Sequence, residues 1–531
     1  MKLNSKKLML VLALAAVVVV AGGCSFLQRN DTVQPSPGLN GSKSTIASET
    51  DNYLADIPTE QTDIVLIGSE LEGLYLARAA ADEGLKVKIL DPRSAFGGQV
   101  LQGEMLFLDE TRDDRKRLLV QGRAKELFSG FRNGKIRKLK EFEQYFDKLK
   151  QDIPVEHGIR IESVEQKPGQ FGGQAVNGVV YTTRDGQKKR IAADYWVENT
   201  DHAAMVSQLQ ATRMPGLEKF YGQKDIEYMS SGMMMKFKNV DWAKFQQSFN
   251  NTSKKERRAK YGWGSVNESF AISLIGMTNK YKAVSDRVLL RGLNAVNQRD
   301  GEVIINALLI YTVDPSDDQS VADALEIGKK ETPLILDHFR KSLPGWEKVE
   351  LNGFPNYLYI REYNHYETDY VLKPSDMLGA KMFWDNVSIG GYPLDLQGTS
   401  ATKWGIEMGR PDKYGMPLRS FLLKNYDNVI MAGKNVGASA IAYGSARIQP
   451  NTSLAAESIG VILGQIKGKK QLRELKEADV TQLHQYLAEK YNIKLTGVTG
   501  NNKLEGWSAD EIAQLDAGKI VYPVYVETRQ K

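Results

Sequence analysis

Apolar and polar positions fall into blocks along this chain, and the first blocks predict a βαβ unit. Residues 63–67 are an apolar run with the character of a buried parallel strand. Leu71, Leu74, Tyr75, Ala77 and Ala81 then recur at helical spacing, and residues 87–90 form a second apolar run closed by Asp91. Residues 103–150 read as helical. Short strands follow at 160–164, 175–183 and 189–192, and a buried one at 193–197 leads into Glu198-Asn199-Thr200-Asp201-His202. From 206 to 385 the pattern changes. Methionines cluster at 229 and 233–235. Alternating runs at 287–298 and 302–313 meet at Arg299-Asp300-Gly301, a hairpin signal. Residues 321–343 predict an amphipathic helix stopped by Pro344-Gly345. Residues 428–433 return to a buried strand, a glycine-rich loop follows, and 452–466 predict a helix capped by Asn451 or Thr452. The tail holds a leucine-patterned helix, a capping box at Ser508–Glu511 and a β-prone end at 520–526.

The first 60 residues stand apart from this pattern. Lys2, Lys6 and Lys7 precede an apolar run at 8–21, too short for a stop-transfer span. Ala21-Gly22-Gly23-Cys24 resembles a bacterial lipobox, which implies lipidation at Cys24. An ordinary signal peptide with an incidental cysteine is the alternative, and Cys24 being the sole cysteine of 531 residues argues against it. Residues 24–60 are too polar to fold and read as a tether of roughly 30 Å r.m.s.. The expectation is a lipid-anchored protein on the extracytoplasmic face of the cell membrane. The blocks thus divide into a signal peptide (1–23), a tether (24–60), a nucleotide-binding part (61–205), an inserted mixed α/β domain (206–385), a second nucleotide-binding part (386–468) and a helical extension (469–531).

Composition narrows the chemistry. One cysteine excludes disulfides, redox dithiols and cysteine–zinc sites, and five scattered histidines predict no metal site. The formal charge is +5, three of it from the n-region lysines, so there is no electrostatic case for nucleic acid. The basic stretch 112–150 carries interleaved acids and aromatics. It reads as a solvated amphipathic helix pair, with attraction to anionic lipid as the other reading.

Gly68 and Gly73 have the outer spacing of a G-x-G-x-x-G turn, and Asp91 lies where the ribose-binding acid of a dinucleotide site falls. The middle position is Glu70. Two geometries are open for it. Ser69 and Glu72 have the S-x-x-E form of a capping box, which would compete with phosphates for the helix N–H groups. Alternatively, Glu70 and Glu72 face outward in the first turn, where acids suit the helix dipole.

Further residues carry a family resemblance. Asp91-Pro92-Arg93 with Phe96-Gly97-Gly98-Gln99, the segments 360–393 and 414–420, and residues 428–464 (NVIMAGKNVGASAIAYGSARIQPNTSLAAESIGVILG) together resemble the FAD-dependent oxidoreductases, of fumarate-reductase-like and glutathione-reductase-like FAD domain. The resemblance covers roughly residues 61–465. It implies an α/β fold: a Rossmann-like FAD-binding domain with a parallel sheet, split by an inserted mixed α/β substrate or cap domain. It implies FAD held by Gly68, Ser69, Glu70, Gly73, Asp91, Arg93, Gly98, Gln99, Gly433, Asn451 and Thr452. Arg447, His365 and Arg361 become candidate catalytic residues, Arg447 to hold a substrate carboxylate or steady the reduced flavin. Hydride would pass between a small organic substrate and flavin N5, with a protein electron acceptor as a further partner. The sequence departs from the family pattern at Thr200, at Ile441, and at Asn364 and His365, which stand where paired arginines are usual. Glu70, Glu72, Thr200 and the missing arginine pair motivate a second hypothesis, a binding or scaffold lipoprotein that keeps the fold without redox function. An NAD-only dehydrogenase leaves residues 428–464 unexplained.

Overall fold

The computed structural model describes residues 57–529. The signal peptide, Cys24 and the tether as far as residue 56 lie outside the described residues. The tether's expected end at residue 60 needs correction, because Thr59 and Glu60 already belong to the first strand, paired with Arg190 and Ile191. The first sheet is built on β1 (Thr59–Ile67), β2 (Val87–Asp91), β3 (Val155–His157), β4 (Arg160–Pro168), β5 (Gln174–Thr182) and β6 (Lys188–Glu198). Their order is β3-β2-β1-β6-β5-β4, and the late strand Val429–Met431 also pairs with β6. β1 is parallel to both β2 and β6, and Val429–Met431 is parallel to β6. β4 and β5 add an antiparallel hairpin. β6 is long enough to serve two neighbours on the side away from β1: Arg190 faces Val180 of β5, and Trp196 faces Val429. The last four residues of β1 and all of β2 are buried, as a parallel sheet covered on both faces requires.

Helix Leu71–Asp82 follows β1 and packs against the long helix Gln449–Ile466. The approach is close: a Cβ on Gly460 would stand 2.4 Å from the Leu76 carbonyl oxygen. The carboxyl ends of β1, β2, β6 and Val429–Met431 therefore bring Gly68, Asp91, Glu198 and Ala432-Gly433 to one edge, where open α/β sheets hold ligands.

A second sheet is wholly antiparallel. Its order is Glu350–Leu351, Ser231–Lys238, Val303–Ile310, Leu293–Asn297, Phe270–Ser273, Gly264–Val266, with Val288–Leu290 also on Val303–Ile310. The methionine cluster alternates across it. Met233 and Met235 enter a core with Phe237, Phe339 and Trp346, while Met234 faces the core of the first sheet.

Four further expectations need correction. Residues 103–123 are not helical; the helices are Ala124–Arg132 and Leu139–Lys150. Before them the chain doubles back, Arg112 bridging Leu118, because the Asp113 carboxylate accepts the Arg117 N–H at 2.8 Å. The C-terminal long helix begins at Gln449, and neither Asn451 nor Thr452 caps it; Pro450 sits in the first turn, where a missing N–H costs nothing. Residues 520–526 do not form a strand: Tyr522–Arg529 is helical, with Pro523 tolerated in its first turn and unfit for a ladder. The Ser69–Glu72 capping box is not formed, as the site geometry explains. Among the described residues no helix is long and apolar enough to cross a membrane.

Candidate functional site

The turn after β1 opens on Gly68, whose φ of +96° suits glycine and whose Cβ would meet Asn199 backbone at 2.7 Å. Ser69 then turns to β2. Its N–H donates to Asp91 Oδ2 at 2.9 Å, its hydroxyl donates to the same oxygen, and its Oγ accepts the Gly97 N–H at 2.8 Å. Asp91 Oδ1 accepts the Arg93 N–H at 2.8 Å, so this buried carboxylate braces the turn. Committed to Asp91, Ser69 cannot cap the helix; Glu70 is the N-cap residue and makes no side-chain cap.

Neither geometry open from the sequence is adopted by the two glutamates. Glu70 is 2% exposed and points into the fold. Its carboxylate accepts the Gln99 N–H at 3.2 and 3.1 Å and the Arg93 guanidinium at 2.7 Å, with Lys434 Nζ at 3.9 Å. Arg93 also reaches Asp201 at 3.1 Å and lies 5.5 Å from the Tyr357 ring centre. Burial opposes charge on Arg93, but Asp201, Asp91 and Glu70 outweigh it and hold the guanidinium protonated. Burial likewise opposes the Asp201 charge, and Arg93 overrides it to hold that carboxyl well below the usual range. Glu72 is 1% exposed; Thr452 donates to its Oε1 at 3.3 Å, and Oε2 has no partner. Burial, with Glu70 adjacent, pushes Glu72 up to about 7.

Gly73 and Gly433 crowd the same residue. A Cβ at Gly73 would stand 2.1 Å from Asn199 Nδ2, which donates to the Glu70 carbonyl at 3.0 Å. A Cβ at Gly433 (φ +59°) would stand 3.3 Å from Asn199 Oδ1. Gly98 lies against Glu70. Asn451 is buried at the start of its helix, donating to the Ser445 carbonyl at 2.9 Å and accepting from Gly391 N–H at 3.3 Å.

The catalytic candidates form a second group. Arg361 is 2% exposed, donates to the Ser230 carbonyl at 2.7 Å and to Asn306 Oδ1 at 3.2 Å, and lies 4.3 Å from the Tyr359 ring centre. Burial, with Arg291 and Arg447 nearby, pushes it down to about 9, still charged at neutral pH. Arg447 donates to the Tyr359 hydroxyl at 3.3 Å. Tyr359 thus joins the two guanidiniums. His365 Nε2 lies 2.7 Å from Glu362 Oε1, and its ring meets Tyr443 edge-on at 4.3 Å. Tyr443 donates to the Arg361 carbonyl at 3.0 Å.

Lys434 connects the groups. It donates to Gln99 Oε1 at 3.1 Å and to the Ile360 carbonyl at 2.9 Å. Sequence reading missed it, along with Asn199, Tyr357 and Tyr359. Its one signal was position, a cation directly after Ala432-Gly433.

The donor set suits FAD in a stated sense. A cleft of about 660 Å³ opens beside Pro92, Arg93, Ile159, His202 and Tyr357. Beyond it, Arg93, the Gln99 N–H and Lys434 form an anion cradle of the kind a pyrophosphate needs, with the Glu70 carboxylate in it.

Residues 63–487 match the family described as FAD dependent oxidoreductase. A stretch of 71 residues is 32% identical to thiamine thiazole synthase from Archaeoglobus fulgidus, over 13% of this chain and 24% of that protein, so the chain spans about a quarter of that curated relative. Among solved structures, THI4 from Thermovibrio ammonificans is 23% identical over 31% of this chain and 66% of that one, with a TM-score of 0.23. A geranylgeranyl bacteriochlorophyll reductase-like protein from Thermoplasma acidophilum is 11% identical over 89% of this chain and 99% of that one, with a TM-score of 0.38. The assignment is carried by the family match, which spans both sequence halves of the first sheet. The chain belongs to the FAD-dependent oxidoreductases, with FAD as cofactor and a Rossmann-like α/β fold.

Proposed function

We propose that the chain is a membrane-tethered, extracytoplasmic FAD-dependent oxidoreductase acting on a small organic anion. One observation supports the substrate class: Arg361 and Arg447 are buried on either side of Tyr359 with no carboxylate bonded to them. Buried guanidiniums without an acid partner favour a bound carboxylate. FAD, when bound, would supply the acceptor for a hydride, the two electrons and one proton of a two-electron oxidation.

The chain's own residues do the rest. Arg93, the Gln99 N–H and Lys434 hold the phosphates, while Gly68, Gly433 and Gly98 let backbone approach them. Arg361 and Arg447 orient the substrate carboxylate. Glu362 fixes the His365 ring through Nε2, leaving Nδ1 to take or give a proton. Lys434 ties the phosphate cradle to Ile360, the residue before Arg361, so the substrate and cofactor groups share one scaffold.

Titrating the flavin-loaded protein with succinate tests the substrate class. The flavin spectrum is expected to shift saturably, and Arg447→Ala to keep the flavin while weakening the shift about tenfold or more, the loss of one charge-assisted hydrogen-bonding group. A spectrum indifferent to carboxylates defeats the reading. Tethering rests on the n-region lysines, the short apolar run and Cys24. Radiolabelled palmitate is expected in the wild type and absent from Cys24→Ser; a wild-type chain that takes up no label, or a Cys24→Ser chain that takes up as much, overturns the anchor.

A further inference from the structure

The anion in the cofactor cradle belongs to the chain itself. Glu70 takes both the Gln99 N–H and the Arg93 guanidinium, yet the cradle is not saturated. Arg93 Nη2 is buried with no hydrogen-bond partner, a donor that one carboxylate leaves over and a larger oxyanion would meet. Gly98 shows how close the fit is. A Cβ there would stand 2.4 Å from the Glu70 carboxyl carbon, so glycine brings backbone up to an anion at this point.

We propose that Glu70 is a resident stand-in for the cofactor pyrophosphate, and that cofactor loading exchanges one anion for the other. This rests on the reading that FAD is the cofactor. In the exchange Glu70 releases Arg93, the Gln99 N–H and Lys434 and turns to solvent. Charge requires the release. Arg93 already faces Glu70, Asp91 and Asp201, and a pyrophosphate added beside three buried carboxylates is repelled unless one departs. Two consequences follow for the chain. Its cations stay paired when no cofactor is present, so the apo-protein holds its fold. Its net affinity for FAD is lowered by whatever Glu70 contributes to the closed state.

The test compares the full-length wild type, Glu70→Gln and Glu70→Ala as apo-proteins, each checked for native fold by near-ultraviolet circular dichroism. FAD affinity is read by quenching of flavin fluorescence, and apo stability by thermal melting. Both variants are expected to bind FAD about tenfold or more tightly than wild type, since each removes a charge-assisted competitor. Glu70→Ala without FAD is expected to melt lower than wild type, and to gain more from added FAD. Glu70→Gln keeps the shape of the side chain and carries the test if Glu70→Ala does not fold. Wild type and Glu70→Gln binding FAD equally overturns the exchange and leaves the cofactor reading intact. Binding by none of the three overturns both.

Discussion

At the residue scale the two glutamates of the first turn hold most of the information. Their positions were legible, since Gly68, Gly73 and Asp91 frame them, but their direction was not. Spacing offered a local capping box or an outward face, whereas the partners that decide are remote: Arg93 and Gln99 lie 23 and 29 residues from Glu70, and Thr452 lies 380 from Glu72. Glu72 carries a pH prediction. Its pKa rises from the ordinary 4.5 to about 7 on folding, so between those values the folded chain holds a proton the unfolded chain has lost. Stability therefore falls as pH rises through that window and levels off above it. Glu457, raised to about 7 by burial that its bonds to Arg123 only partly offset, adds a slope of the same sign. Glu72→Gln is expected to flatten the profile in part and to stabilise the apo-protein at pH 8 by on the order of 3 kcal/mol. Urea melts at pH 5 and pH 8 measure it; an unchanged difference between the two defeats the assignment.

At the element scale the βαβ unit was readable because each of its elements is buried along its own period. The long helix Gln449–Ile466 was readable in its body and misplaced at its start, because capping was given to Asn451 or Thr452 whereas Pro450 already occupies the first turn. The tail helix Tyr522–Arg529 was missed for a related reason. Its β-branched and aromatic residues resemble a strand, but they pack instead, Tyr522 stacking on Trp507 with ring centres 5.8 Å apart. Helix contact supplies the prediction here. A Cβ at Gly460 would stand 2.4 Å from the Leu76 carbonyl oxygen of Leu71–Asp82, so Gly460→Val forces the two helices apart. The expected cost is about 2–3 kcal/mol, a lower urea midpoint at unchanged slope. A midpoint equal to wild type would mean the helices separate freely.

Across the whole molecule, the alternation of sheet types was legible, with parallel strands at both ends of the sequence and a hairpin-rich block between them. The meeting of Arg361 with Arg447 was not, because 86 residues separate them and only the fold brings Tyr359 to both. Ligand should be felt throughout this body. A hundredfold excess of FAD over its dissociation constant is expected to add about 2.7 kcal/mol to the unfolding free energy, seen as a melting temperature that climbs with the logarithm of FAD concentration. A flat melting temperature would show that FAD does not prefer the native state. Lys434 links the two groups of candidate site residues. It bonds at once to Gln99, in the proposed phosphate cradle, and to the Ile360 carbonyl, next to the proposed substrate arginine Arg361. If the two proposed subsites are coupled through this lysine, occupying one end changes the free energy of occupying the other, and thermodynamic reciprocity makes the factor identical in both directions. Succinate should therefore change FAD affinity by the same ratio by which FAD changes succinate affinity, and Lys434→Met should bring that ratio to one.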